Sequence, residues 1–299
     1  MAFIELLKVI FIGIVEGITE WLPISSTGHM LLVDQFLKLQ ADAEFKEMFF
    51  VVIQLGAIIA VIYMYWTKLW PFRLASRDVA VDANGRPDPK WKNEYVIAGI
   101  GISRPVFLMW VKVIVATIPA GILGLLLDDW MDKYAKTPAV IAVALIVYGV
   151  LFILVENRNK KRPVKIKRLG QLTYLDALKL GLFQSLAIVP GTSRSGATIV
   201  GGLTMGVSRR LATEFSFFMS IPIMFGWSLV KLIKYGFHYS ALEFFELLFG
   251  MVVAFVVSVL VIKFLIGYIK KHDFMIFGYY RIALGVLVIL IFTIKQIVM

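Results

Sequence analysis

Two polar motifs interrupt an otherwise apolar chain. The first, Glu16-Gly-Ile-Thr-Glu20-Trp-Leu-Pro23-Ile-Ser25-Ser26-Thr27-Gly28-His29, holds two carboxylates, a cluster of hydroxyls and an imidazole. The second, Pro190-Gly-Thr-Ser193-Arg194-Ser195-Gly196-Ala-Thr198, sets an arginine among hydroxyls and glycines. Glu16 and Glu20 are four apart, so on a helix they project from one face. Carboxylates that close interact strongly: one keeps its proton, or a cation bridges them. Either arrangement suits general acid–base work, or a hard-metal site in which Glu16 and Glu20 hold Mg²⁺ or Ca²⁺. A hydrogen-bonded helix interface is the plainer alternative. Ser25, Ser26 and Thr27 follow Pro23, and His29 comes three residues after Ser26. Hydroxyl and imidazole at that spacing can converge on one substrate atom at a turn, although such a run also caps helices.

The second motif reads as a turn leading into a helix N-terminus. Unpaired N–H groups and a positive dipole make such a terminus a phosphate cradle. Arg194 adds a planar fork for phosphate oxygens. Ser193, Ser195, Gly196 and Thr198, with Ser25 and Thr27 of the first motif, complete the candidate substrate-binding set. The structural alternative is an Arg194–Glu20 pair joining two halves of the protein. The two are compatible, because Arg194 can hold Glu20 until an anion arrives. A Walker loop, a His-Glu-x-x-His helix and a Gly-x-Ser-x-Gly elbow are all absent from the sequence. With no cysteine, disulfides and thiolate metal sites are excluded.

The elements that position these groups must lie in a membrane. The chain is 60% hydrophobic and 17% charged, with mean hydropathy +0.83, and a soluble domain of this length carries more charge. Spans of about 20 residues suit a hydrocarbon core about 30 Å thick. Six such runs are expected: Met48–Trp66, Val106–Leu127, Pro138–Val155, Thr213–Lys234, Phe244–Tyr268 and Met275–Ile294. A charged side chain at mid-membrane costs roughly 2.5–3.5 kcal/mol. The motif residues therefore face each other, water or a polar ligand. No cleavable signal peptide is expected, since the first apolar segment carries Glu16 and Glu20.

Both motifs sit at helix breaks. Phe3–Leu22 breaks at Pro23 before a short arm, His29–Leu39; Tyr174–Val189 breaks at Pro190 before another, Ser195–Val207. Pairs like these suggest re-entrant helix–loop–helix elements, covered by protein or water. An ordinary span followed by a surface helix is the alternative for the first. Pro23 and Pro190 are 167 positions apart, as are Glu47 and Glu214, a register that sets Ser25-Ser26 opposite Thr192-Ser193. Each half then reads as a re-entrant pair plus three spans, and odd crossing inverts the second half. The expected fold is a single all-α polytopic membrane domain of residues 1–299 with inverted-topology repeats, about 1–157 and 171–299. A cytoplasmic loop is expected at about 67–105, with a hairpin turn signalled by Asn84-Gly85.

The net charge of +11 concentrates between spans one and two, after span three and after span five. Positive-inside topology explains it without nucleic acid, and Asp128, Asp129 and Asp132 mark the opposite face. Lys231 and Lys234 fit less well and are read as snorkelling. Trp66, Trp70, Trp91, Trp110 and Trp130 suit interfacial belts, and the pairs Gly13/Gly17 and Gly202/Gly206 suit close helix packing. Glu47 and Glu214 receive no role.

Through the two quoted motifs, which stand without departure, the whole chain resembles the bacitracin-resistance family of undecaprenyl-pyrophosphate phosphatases. The resemblance implies an inner (plasma) membrane enzyme that converts undecaprenyl diphosphate to the monophosphate carrier used for peptidoglycan. It implies bacitracin resistance and a site open to the outer, periplasmic face. It places Glu16, Glu20, Ser26, His29 and Arg194 in the catalytic set, with either Ser26 or His29 as nucleophile. A divalent cation (Mg²⁺ or Ca²⁺) is the candidate cofactor, with no organic cofactor. The expected partners are the polyprenyl diphosphate and membrane lipid, with a homodimer left open. A prenyl-phosphate transporter or flippase is the competing class, because inverted repeats with broken helices suit transport as well.

Overall fold

The computed structural model describes residues 2–37, 39–40, 42–74, 88, 90–91, 94–236 and 239–298. Helices dominate: α1 (Ala2–Thr19), α2 (Ser26–Phe36), α3 (Ala43–Val52), α4 (Gln54–Leu69), α5 (Arg104–Tyr134), α6 (Pro138–Asn159), α7 (Tyr174–Ser185), α8 (Arg194–Thr204), α9 (Arg209–Tyr235), α10 (Ala241–Tyr268) and α11 (Met275–Val298). Among the described residues, six segments are long and apolar enough to cross a membrane: α3–α4 together, α5, α6, α9, α10 and α11. These are the six expected spans. Four of these starts carry side-chain caps: Asp42 for α3, Thr137 for α6, Ser208 for α9, and Ser240 with Glu243 for α10.

The first span is not one smooth helix. Between α3 and α4 the ladder tightens to a three-residue turn, Gly56 N–H donating to Ile53 O at 3.0 Å. There Gly56 backs directly onto the Met251 backbone of α10, an approach that no side chain would allow.

Both short pairs turn back on themselves. At the open end of α1/α2 the Glu5 carboxylate accepts from Gln40 N at 3.0 Å, so α1 and α2 are the two arms of a hairpin. At the open end of α7/α8, Lys165 N donates to Gly206 O at 2.9 Å and Ser208 N to Ile166 O at 2.8 Å. Gly13 and Gly17 let α1 lie parallel to α10, against Gly250, Val253, Ala254 and Val257. In the same way α7 lies against α5, Gly181 meeting the Ala116 backbone and Leu169 O accepting from Lys112. Gly202 packs on Ala212, but Gly206 is no packing glycine. It sits at φ 83° in the turn after α8, where its carbonyl takes the Lys165 and Ile166 donors.

Contacts gather the basic segments at one end of the bundle. Buried Glu156 accepts from Arg209 through both oxygens and from Phe274 N at 3.0 Å, and Asn159 reaches Leu203 O. The start of α1 follows the start of α10, away from that end. The two hairpins therefore open toward opposite ends, with their tips between.

The antiparallel contact of α3–α4 with α9 gives Glu47 and Glu214 the roles that their sequence positions lacked. Glu47 pairs with Lys231 at one end, while Glu214 pairs with Lys68 at 2.9 Å and Arg210 at 3.0 Å at the other. Lys231 is thus a pairing residue rather than a snorkelling one, and Lys234 lies 3.4 Å from Asp129. After α4 comes a small antiparallel sheet of β1 (Phe72–Leu74), β2 (Glu94–Ile97) and β3 (Ile100–Ser103), in the order β1-β3-β2. Its hairpin turn is Ala98-Gly99, with φ 49° and 77°, the geometry of a type I′ turn. The expected Asn84-Gly85 turn lies outside the described residues.

Candidate active site

Each hairpin tip ends in a serine that caps the returning helix. Ser25 (φ 75°) accepts from Gly28 N at 3.3 Å ahead of α2; Ser193 (φ 69°) accepts from Gly196 N at 3.2 Å ahead of α8. Positive φ at a non-glycine residue is strained backbone, and it clusters where function over-determines the structure. These equivalent caps are 168 positions apart, not 167. The spacing of the prolines therefore misplaces the tips by one residue. In the cap register Ser26 and Arg194 are the two first helical residues, and they stand opposite each other.

Glu20 joins the tips. Arg194 Nη2 donates to Glu20 Oε1 at 3.1 Å, and Ser26 Oγ donates to Glu20 Oε2 at 2.9 Å. Arg194 Nη1 also donates to Ser216 O of α9 at 2.8 Å, and its guanidinium lies 5.8 Å from the ring of buried Trp21. Ser195 Oγ reaches Glu20 O at 3.4 Å. Glu16, one turn back along α1, is buried, and neither of its carboxylate oxygens has a hydrogen-bond partner.

His29 stands apart from this chain. Its Nδ1 lies 2.7 Å from Ser25 O and its Nε2 lies 2.8 Å from Tyr280 Oη, the two rings being nearly parallel. A carbonyl only accepts, so Nδ1 carries the proton; in the neutral imidazole the Tyr280 hydroxyl then donates to Nε2. Ser26 and His29 thus have different hydrogen-bond partners: Glu20 for the hydroxyl, and the Ser25 carbonyl and Tyr280 for the ring.

Several candidate binding residues have other duties. Thr198 is fully buried and donates to Arg194 O, its own helix at 2.9 Å, so it supports the arginine without facing the pocket. The Gly196 N–H is taken by Ser193, and the Ser25 hydroxyl is taken by the cap. Ser195 is buried against Glu20 and Ser193. Ser26, Thr27, Ser193 and Arg194 retain exposure at the mouth.

Sequence reasoning missed Arg281. It is completely buried in α11, donating to Pro23 O at 3.2 Å, Gly191 O at 2.8 Å and Thr192 O at 2.9 Å. One guanidinium thus ties both tips together, with the Tyr148 ring 5.6 Å away. Its signal was a lone arginine inside an apolar span, which the cost argument applied to the motifs marks equally well.

Chemically, the arrangement offers a hydroxyl on a carboxylate acceptor, an opposed guanidinium and two helix N-termini facing one space. That is equipment for a multiply charged anion. Among the described residues no third acidic or imidazole group joins Glu16 and Glu20 in a metal-binding cluster. Two carboxylates still fit a Mg²⁺-like ion, which takes its remaining ligands from phosphates and water. The unpartnered Glu16 oxygens are suited to it.

Comparison with known proteins points the same way. Residues 9–287 match the family described as Bacitracin resistance protein BacA. An undecaprenyl-diphosphatase of Enterococcus faecalis is 55% identical over 289 residues, covering 97% of this chain and 98% of that one. Those of Desulfitobacterium hafniense and Acetivibrio thermocellus are 53% and 52% identical, over 100% and 97% of this chain and 100% and 98% of their own.

Proposed function

Since this chain belongs to the bacitracin-resistance BacA family, we propose that the two tips form the active site of a membrane-embedded undecaprenyl diphosphatase. The enzyme hydrolyses undecaprenyl diphosphate to undecaprenyl phosphate and inorganic phosphate, which recycles the lipid carrier of cell-wall polymer synthesis and underlies bacitracin resistance. The relatives above are named as diphosphatases, so transport alone is not carried forward. The observation that carries the reading is the Ser26–Glu20–Arg194 chain, which links one hairpin to the other through two short contacts.

Binding of the diphosphate draws Arg194 and the two helix N-termini onto its oxygens, freeing Glu20 to act as base. Ser26 Oγ attacks the terminal phosphorus as its proton passes to Glu20 Oε2. The P–O bond to the bridging oxygen breaks, and undecaprenyl phosphate leaves with that electron pair. Glu20 passes that proton to the departing phosphate; water then attacks the phosphoserine, giving a proton to Glu20, which returns it to the released Ser26 oxygen as inorganic phosphate leaves. Ser26 is preferred to His29 because both imidazole nitrogens already have partners, one of them the Tyr280 hydroxyl. His29 positions the Ser25 turn through its bond to that carbonyl. Glu16 and Glu20 would hold the divalent cation, which supplies charge neutralisation when bound.

The opposed hairpins and the ion pairs at both ends of the α3–α4/α9 contact support inverted-topology repeats over about 1–157 and 171–299. Positive-inside logic puts the basic end in the cytoplasm of an inner (plasma) membrane, and the family resemblance implies a site open to the outer face.

The test is phosphate release from undecaprenyl diphosphate by purified protein in detergent. Release is expected from the parent and lost in Glu20→Gln, Ser26→Ala and Arg194→Ala variants that remain folded. A quenched-flow phosphoenzyme should map to Ser26. A label on His29 reassigns the nucleophile, and a parent that releases no phosphate ends the diphosphatase reading.

A further inference from the structure

The chain leaves α4 at the basic end of the bundle, where Lys68 pairs with Glu214, and enters the small sheet. Cross-strand partners share a face, so the register sorts the sheet into two unlike sides. On the front, Phe72, Ile102 and Tyr95 form one rung, and Leu74, Ile100 and Ile97 form the next. All six are apolar or aromatic; five are exposed, Leu74 to 85%. The back is polar and closed. There Arg73 donates twice to Glu94, at 2.8 and 2.6 Å, across the gap left by Gly101, whose added Cβ would strike the Glu94 carboxylate. The Arg73 guanidinium also lies 4.9 Å from the Trp91 ring, and Ser103 donates to Lys90 O at 2.7 Å.

We propose that the front face lies in the headgroup layer of the bilayer, making the sheet an interfacial anchor beside the spans. Continuity selects lipid as what covers it. Ile59, Tyr63, Trp66 and Trp70 form one exposed stripe along α4 and its C-terminal end, spaced as residues on a single helix face are. That helix completes a membrane-crossing segment, so the stripe faces lipid. Trp66 stacks on Trp70 at 4.6 Å, and Trp70 meets Phe72 edge-on at 5.6 Å. The lipid-facing stripe therefore runs without a break into the front of the sheet. Trp66, Trp70 and Tyr95 are the residue types that sit at headgroup depth. Charge agrees: residues 68–104 carry seven cations against four acids, which suits an anionic leaflet. Anchored there, the sheet fixes the depth at which α4 and α5 leave the membrane.

Single cysteines test this cleanly, because the chain has none of its own. Ile97→Cys on the front and Val96→Cys on the back replace neighbours of nearly equal exposure, 62% and 60%, that point to opposite sides of the sheet. Each carries a bimane label in the full-length protein, in vesicles of phosphatidylcholine and phosphatidylglycerol. With the front face about 5–10 Å into the headgroup–acyl boundary, the label at 97 should lose at least about half its emission to a lipid bearing a nitroxide near the carboxyl end of its acyl chain. Aqueous iodide should not reach it. The label at 96 should show the reverse pattern. Leu74→Cys gives a second front-face reading should Ile97→Cys fail to fold. Iodide reaching both faces alike overturns the proposal. So does a front-face label hidden from both quenchers, the result for a face covered by protein, a second copy included. No turnover is read, so the outcome is independent of the diphosphatase reading.

Discussion

The two hairpin tips share a backbone and divide the chemistry. Each has a serine at positive φ accepting from a glycine N–H three residues on, so each aims a helix N-terminus at the same space. At the next residue they part: Ser26 is a hydroxyl on a carboxylate, and Arg194 is a cation on that carboxylate's other oxygen. A similar turn thus carries a hydroxyl at one tip and a guanidinium at the other. The fold supplies the helix N-terminus twice, while the first helical residue makes the two tips chemically different; the proposed mechanism uses one as nucleophile and the other as charge clamp.

Breaking the asymmetry at the nucleophile should cost most. Ser26→Ala leaves both N-termini and Arg194 in place, and kcat should fall roughly 10⁴-fold or more; activity within ten-fold of the parent excludes Ser26 as nucleophile. At the partner position, Arg194→Lys keeps the charge and loses the fork that spans Glu20 and Ser216. A loss of roughly 10²–10³ in kcat is expected, read in the same phosphate-release assay.

Arg281 belongs to neither tip and holds both. Arg281→Gln leaves buried carbonyls of Pro23, Gly191 and Thr192 short of donors and should destabilise by roughly 3 kcal/mol. In a protein of this size that is a Tm lower by about 6–12 °C, measurable by thermal scanning in detergent; an unchanged Tm shows the tips cohere without it. For the cation, Glu16→Gln should lower activity roughly ten-fold and abolish the response to a chelator. A chelator response equal to the parent's removes Glu16 from the metal site. The smallest effect sharpens the shared backbone. Ser193→Gly relieves φ 69° while losing the cap, and should shift stability by only a few tenths of a kcal/mol. Ser193→Ala loses the cap and keeps the strain, at a cost of about 1 kcal/mol. Equal effects from the two would show that the strain at this tip is negligible.

Much of this was legible in the chain itself, and for local reasons. The six spans follow from run length and composition, although α3, α9 and α10 begin several residues before the expected Met48, Thr213 and Phe244. Glu16, Glu20 and Arg194 are expensive in hydrocarbon wherever they sit, so their grouping could be anticipated. Thr198 could not be placed the same way, because a threonine on a helix chooses between a ligand and the carbonyl four residues back. The turn at Ala98-Gly99 lacked the Asn-Gly signature that drew attention to residues 84 and 85, and it is held by pairing with β1 on the far side of β3.

What the sequence by itself determined is the class of molecule and the stock of reactive groups, because transfer cost and helix breaking are properties of short segments. Which oxygen of Glu20 meets Ser26 and which meets Arg194, and why His29 turns to Tyr280, were decided only by the tertiary structure. Those contacts span up to 251 residues of chain. They exist because Arg281 and the glycine-lined helix faces press two opposed hairpins to a common depth, where buried polar atoms must find one another in place of water.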